Sequence, residues 1–482
     1  MSREPRYDLV ILGGGTGGLV SAMIAAGIGA RVALVEADRT GGDCLWTGCV
    51  PSKSLLAAAD LAHAMRHADR LGLTPASPTV DLARVMEHVR AAQSQIAPHD
   101  SPERLRAAGV EVLEGTGRFA GPDVVAVGDR RLRFRRAIVA TGSAAVVPPI
   151  PGLRETDPLT NETVWGLTEV PPRLAVIGGG PIGCELGQAF ARLGSDVTII
   201  DVEDRVLPRE EPFASAALAD ALRADGITLR LGARVEQVDG HQGAATLTLG
   251  GVDPGSVVAD RILVAAGRRP RIEDLGLETV DVRVERGAIA VDSTLRTSNR
   301  RVLAVGDVIG GLAFTHVAAH HARVATLNAL FGLRRRADAA PIPWVTFTDP
   351  EVAHVGLTEA QARERWGART VIACSSYDQV DRAITARETV GGARLVGDPK
   401  GRLVGATLVG RGSGESIAEL TAWIAMGEKL ERVSQTVHAY PTYAEAAARA
   451  ADEHLRARFA TPRVRRLLAP VLAIARRLPR RG

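Results

Sequence analysis

The sequence predicts an α/β protein with two Rossmann-like units and a C-terminal α+β domain. Three observations carry this. A short apolar strand, a glycine loop, a helical pattern and a second strand follow one another near the start. The same order returns about 165 residues later. After Ala340 strands and helices continue without any glycine loop.

Residues 8–12 read as a buried strand, 19–26 as a helix of small residues and 31–35 as the next strand, the βαβ order of a parallel sheet. Residues 173–177, 182–193 and 196–200 repeat it. Between them lie two long helical stretches, 52–67 and 82–96, and then short strands. Pro148, Pro149 and Pro151 mark a boundary near 150. A further strand, 301–306, ends in Asp307. The expected segments are 1–150, 151–270, 271–340 and 341–460, with a basic tail at 461–482.

With 482 residues, 46% of them hydrophobic and 24% charged, the chain has material for several packed domains. No apolar run approaches the ~20 residues of a membrane-spanning helix. The first residues run straight into a strand, so no signal peptide is expected and the expected compartment is the cytoplasm. Net charge is +4, but residues 461–482 hold seven arginines and no acid, which leaves −3 for the rest. The body therefore gives no reason to expect nucleic-acid binding. Pro470 is expected to interrupt any helix in the tail, which favours a solvated extension. The rival is a short amphipathic helix on anionic lipid or on a dimer surface.

The first glycine loop is Gly13-Gly14-Gly15-Thr16-Gly17-Gly18. Gly13 serves the tight turn, Gly15 lets backbone approach a pyrophosphate, and Gly18 allows close packing of helix on strand. The helix N-terminus offers unpaired N–H groups to phosphate. Glu36 ends the next strand, where it can accept hydrogen bonds from a ribose. The second loop, Gly178-Gly179-Gly180-Pro181-Ile182-Gly183, repeats the plan with Gly178, Gly180 and Gly183, and Asp201 ends its strand. An acid there favours NADH over NADPH, with Glu203 adding repulsion and Arg205 a candidate phosphate partner. Two such sites suggest one bound flavin and one exchanging nicotinamide, a hydride relay.

Cys44 and Cys49 lie five residues apart in a glycine-rich segment, which suggests metal binding or redox chemistry. A second ligand pair with zinc spacing is missing, so no metal site is assigned. Pro51 and Ser52 suit the first turn of a helix, placing Cys49 at its N-terminus, where a thiolate is stabilised. Cys184 and Cys374 read as buried small hydrophobes.

The segment Gly41-Gly42-Asp43-Cys44-Leu45-Trp46-Thr47-Gly48-Cys49-Val50-Pro51-Ser52-Lys53 resembles the redox motif of the class I pyridine nucleotide-disulfide oxidoreductases. These include dihydrolipoamide dehydrogenase, glutathione reductase and mercuric reductase. Ala140-Thr141-Gly142, Ala266-Gly267-Arg268 and Ala304-Val305-Gly306-Asp307 match the same family. The resemblance implies one FAD per subunit, held in a domain split around the NAD(P) domain, and a homodimer formed by the last domain. It implies that Cys49 is the flavin-proximal thiol and Cys44 the interchange thiol. Lys53 would lie near the flavin paired with Glu185, and Asp307 near the ribityl chain, with Thr315 and His316 following. For His316 a core role and a catalytic one stand level. Gly42, Gly117, Ala140, Thr141, Gly142, Gly267 and Gly306 are implied around the flavin, and Val235 around the nicotinamide cofactor. Lys53 is one of only three lysines in an arginine-rich chain, which makes its placement in the motif telling.

One segment departs from the family. Where thiol-disulfide members carry a His-Pro-Thr base with a Glu five residues on, this chain has His438-Ala439-Tyr440-Pro441-Thr442 and then Glu445. A phenol is a poor base at neutral pH. If extended, the segment would put His438 on one face with Tyr440 as a substitute. This form resembles the mercuric-reductase-like branch, although the chain lacks that branch's C-terminal cysteine pair. The expected activity is transfer from NAD(P)H to a small acceptor: a metal ion such as mercuric ion, a disulfide or a quinone. The rivals are a dihydrolipoamide dehydrogenase and a non-enzymatic redox sensor.

Overall fold

The computed structural model describes residues 6–338, 340–459 and 461–477. They form two compact units. One holds the chain up to 69, 74–206 and 222–340; the other holds 70–73, 207–221 and the chain from 341.

In the first unit a seven-stranded sheet runs in the order Val110–Glu114, Val32–Glu36, Tyr7–Leu12, Arg130–Val139, Val124–Val127, Gly117–Gly121. Val302–Ala304 pairs with Arg130–Val139, in parallel. Tyr7–Leu12 is parallel to both its neighbours, with Leu9 opposite Val32 and Arg136. Successive residues feed opposite faces. Val10, Leu12, Ala33, Val35 and Val139 join one core cluster; Leu9, Ile11, Val32, Leu34 and Ile138 join the other. Both faces are covered, so the strand reads as one apolar run rather than as an alternation. Trimming a fully buried member such as Leu9 or Ile11 to Ala would cost about 2–5 kcal/mol.

The same unit holds a second parallel sheet, Thr228–Leu231, Asp196–Asp201, Arg173–Ile177, Arg261–Val264. Beside it lies an antiparallel sheet of Ala233–His241, Ala244–Gly251 and Gly255–Ala259.

The second unit is built on a five-stranded antiparallel sheet, Pro343–Thr346, Val352–Gly356, Leu403–Val409, Gly392–Gly397, Val371–Ser376. Its core includes Leu395, Leu408, Ile417 and Leu420. Residues 207–221, read from sequence with the second Rossmann-like unit, gather here instead. Trp344 Nε1 donates to Glu210 at 2.5 Å, Glu359 N donates to Glu211 at 2.6 Å, and Arg394 stacks on Phe213.

Two expectations are corrected. Cys374 is exposed, not buried. It lies on an edge strand whose alternate residue Ala373 takes the core, so the pleat turns Cys374 outward. The tail, expected to be broken by Pro470, is an α-helix over Pro462–Arg477 with that proline inside it. Proline costs the helix a donor, but the Ala, Leu and Arg around it are strong helix formers and Pro462 starts the helix well.

Candidate functional site

The parallel strands of the first sheet end together. Gly13, Glu36, Ala140 and Gly306 follow or close Tyr7–Leu12, Val32–Glu36, Arg130–Val139 and Val302–Ala304. Gly13 N donates to Val35 O, Ala140 N to Leu12 O and Val305 N to Val139 O, at 2.7–2.9 Å. Ligands of such sheets bind at the C-terminal ends of the strands.

The three motif glycines divide their work as the spacing predicts. Gly13 has φ +103°, and a Cβ there would lie 2.3 Å from Ala140 O. A Cβ on Gly18 would lie 1.8 Å from Gly13 O, so that glycine serves packing. Gly15 meets nothing closer than Gly42 Cα at 3.8 Å, leaving its face open to a ligand. The second loop repeats this. Gly178 would strike Ala265 O, Gly183 would strike Gly178 O, and Gly180 faces open space. Each terminal acid reaches back to its loop. Glu36 accepts from Gly14 N at 2.5 Å and from Asp38 N at 2.8 Å. Asp201 accepts from Gly179 N, and from Glu203 N at 2.8 Å.

The redox segment is strapped to the first loop. Gly41 N donates to Gly14 O at 2.9 Å, and Gly42, with φ +57°, packs on Gly15. Cys44 lies in the short helix Gly42–Trp46, and Cys49 is the first residue of the helix Cys49–Arg66. Cys49 is exposed and Cys44 half-buried. The neighbouring Cys44 thiol holds Cys49 down at about 6 against partial burial. Thr315, 3.3 Å from the sulfur, and the charge of Lys53 act in the same direction. Cys44 is pushed well up by its Cys49 neighbour and by burial. Lys53 Nζ meets Glu185 Oε2 at 2.7 Å.

Around this turn lies a set of residues that the sequence reading did not single out. Arg268 donates to Asp43 Oδ2 at 2.9 Å and to Ser143 Oγ at 2.8 Å, and Ser143 donates to Asp307 at 2.6 Å. Asp43 also accepts from Thr47 and Asn161. Gln93 donates to Leu45 O and Trp46 O, and Trp165 to Thr47 O. The turn is thus gripped from outside by four side chains, Arg268, Asn161, Gln93 and Trp165. The one available signal was a charged Asp43 directly before the first cysteine.

Other sequence-predicted residues fall as follows. Thr141 donates to Arg271 O at 2.7 Å. Gly142 and Gly267 have positive φ and no atom where a Cβ would sit. Gly306, also at positive φ, packs on Ala318. Gly117 faces Leu12 and Val35, and the Val235 side chain lies in a hydrophobic core. Cys184 is buried and donates to Gly179 O, as a small core residue. The ring of His316 stacks on Phe314, 5.5 Å between centroids.

In the second unit, the Tyr440 hydroxyl donates to Asp381 at 2.7 Å, which raises its already high pKa. His438 does not share this direction. Its Nε2 pairs with Glu419 at 2.8 Å and its Nδ1 meets Thr436 O. Glu445 begins the helix Glu445–Phe459 and lies 3.9 Å from Arg449.

The family profile of the pyridine nucleotide-disulphide oxidoreductases matches residues 7–322. The dimerisation-domain profile of the same family matches 342–451. The chain is 38% identical over 450 residues to a mercuric reductase of Streptomyces lividans, covering 91% of this chain and 94% of that one. It is 37% identical over 458 residues to dihydrolipoyl dehydrogenase 2 of Haloarcula marismortui, covering 92% and 96%. Among solved structures, the HOCl-induced flavoprotein disulfide reductase RclA from Escherichia coli superposes with a TM-score of 0.82 at 28% identity, covering 92% of this chain and 99% of that one. The open face of Gly15, the helix N-terminus at Thr16 and the carboxylate of Glu36 fit the pyrophosphate and ribose of FAD. With two dinucleotide loops, a cysteine pair between them and a dimerisation sheet after them, the chain belongs to the class I pyridine nucleotide-disulfide oxidoreductases, FAD-dependent enzymes that work with NAD(P)H.

Proposed function

We propose that this enzyme is an NADH-preferring reductase that delivers electrons through Cys44 and Cys49 to a small acceptor, either a soft metal ion such as mercuric ion, a disulfide or a quinone. The observation that carries this is the placing of Cys49 at the first residue of its helix, 3.3 Å from Thr315 Oγ1 and beside Cys44 and Lys53, which favours a thiolate there. When bound, FAD supplies the two-electron link between nicotinamide and the cysteine pair. Over a cycle NAD(P)H and one proton reduce the Cys44–Cys49 disulfide to two thiols, and an acceptor takes the two electrons as the disulfide re-forms. Cys44 passes its proton to the Cys49 thiolate and attacks the acceptor, and Cys49 then closes the ring as the protons leave to the reduced acceptor or to water. Lys53 and Glu185 hold a fixed charge pair next to this centre. Arg268, itself paired with Asp307, holds Asp43 of the turn.

Tyr440 donates a hydrogen bond and does not take a proton, because its hydroxyl faces the Asp381 carboxylate. A homodimer brings it to the partner's cysteines. Without an imidazole at this position, dihydrolipoamide is a poor substrate, despite the 37% identity to a dihydrolipoyl dehydrogenase.

A steady-state screen of mercuric ion, cupric ion, lipoamide, glutathione disulfide and quinones with NADH tests the proposal. The expected result is turnover with at least one metal or quinone acceptor that falls by about a hundredfold or more in Cys44→Ser. Rapid reduction of NAD+ by dihydrolipoamide, in the hundreds per second at the upper end of ordinary turnover, would overturn it. The NADH preference rests on Asp201, whose carboxylate would face a 2′-phosphate. The expected kcat/KM is about tenfold or more in favour of NADH, and Asp201→Asn should narrow that ratio. A tenfold preference for NADPH would refute the assignment.

A further inference from the structure

The helix Pro462–Arg477 lies beyond the family match, which ends at 451. Its large apolar residues are turned to solvent. Leu467 is 74% exposed, Ile474 63% and Val471 60%, and Leu468 and Leu472 are exposed with them. Positions 467, 468, 471, 472 and 474 share one face at helical spacing. Arg466 and Arg476, both exposed, fall on the opposite arc. A folded protein does not leave five such residues in a row along one helix without a partner.

We infer that this helix is a peripheral anchor that lies in the headgroup plane of an anionic lipid surface. Three features commit it to lipid. The first is charge. Residues 461–482 carry seven arginines and no acid, whereas the rest of the chain is net −3, so the net attraction to an anionic surface comes from the tail. The second is the pairing of that charge with an apolar face, which fits the boundary between headgroups and acyl chains. The third is length. Sixteen residues of helix span only about 24 Å, short of the ~30 Å hydrocarbon core, so the helix lies along the surface and does not cross it. A second copy of the helix would bring the same arginines and no acid to meet them, which repels.

Co-sedimentation of the full-length holoenzyme with vesicles tests this, using phosphatidylcholine alone and phosphatidylcholine with about one-third phosphatidylglycerol. The full chain is expected to pellet with the anionic vesicles at least about tenfold more than with the neutral ones, and to be released by ~0.5 M salt. A chain ending at 460 and the variant Leu468→Glu/Leu472→Glu should remain in the supernatant while oxidising NADH at the full rate. Equal pelleting of full-length and shortened chains overturns the proposal, as does equal binding to neutral and anionic vesicles. Light scattering without lipid provides the other arm. If Leu468→Glu/Leu472→Glu lowers the molar mass, the apolar face covers a second copy and the lipid assignment is wrong.

Discussion

The Cys49 sulfur sits at the first residue of an 18-residue helix, 3.3 Å from Thr315 Oγ1 and within the field of Lys53. With a pKa near 6 it is a thiolate at neutral pH and becomes a thiol as the pH falls below that value. The largest contribution comes from the neighbouring Cys44 thiol. In Cys44→Ala that thiol is gone, and the midpoint of iodoacetamide alkylation at Cys49 should move up by at least about one pH unit toward the ordinary thiol range. Peptide mass spectrometry across a pH series reads it. A midpoint unmoved by the substitution would assign the lowering to the helix terminus and Lys53 instead. Both cysteines and Lys53 were legible in the sequence because their motif spacing is fixed, and Glu185 was implied by the family resemblance. The contacts of Arg268 and Gln93 with the turn were not legible, since these partners lie 47 to 225 residues away and only the fold brings them together.

At the scale of elements, the redox helix Cys49–Arg66 and the nicotinamide-side helix Pro181–Leu193 are tied near both ends. Lys53 meets Glu185 at one end. At the other, Arg192 Nη1 meets Asp60 at 2.7 Å and its Nε meets Asp225 at 2.9 Å, while Gln188 and His63 also hold Asp225. Arg66 donates to the Arg192 carbonyl. Arg192 and Asp225 are nearly fully buried, 4% and 5% exposed. Removing Arg192 takes from the buried Asp225 its guanidinium partner and leaves it His63 and Gln188. Arg192→Met should therefore lower stability by about 3–5 kcal/mol, measured by urea unfolding of the FAD-loaded protein. Adding Asp225→Asn should recover part of the loss. If Arg192→Met is neutral, this buried pair does not hold the two helices together. The helix positions themselves were readable from apolar spacing, and residues 82–96 fall as read. This ionic lock was not, because nothing in the sequence distinguishes Arg192 from the other arginines.

At the scale of the whole molecule, the proposed site draws on two subunits: Cys44 from one and Tyr440 from the other. Mixed dimers test this. Cys44→Ser and Tyr440→Phe should each be slow, the latter by about tenfold. If the site is shared, refolding or subunit exchange between the two variants builds one wild-type site in each mixed dimer and restores about a quarter of wild-type activity. If both residues act within one subunit, mixing restores nothing.

The sequence alone determined the class of fold, the two dinucleotide loops and the cysteine pair, because each is encoded by residues close together in the chain. A glycine must stand where a Cβ would strike a carbonyl, and a thiolate must stand at a helix start. Tertiary structure decided what depends on distant residues meeting. It turned Cys374 outward on an edge strand and fixed His438 on Glu419. It moved residues 207–221 to the C-terminal unit and gave Tyr440 an acid partner in Asp381. It also carried the tail helix through Pro470, since neighbouring helix formers outweigh one missing backbone donor.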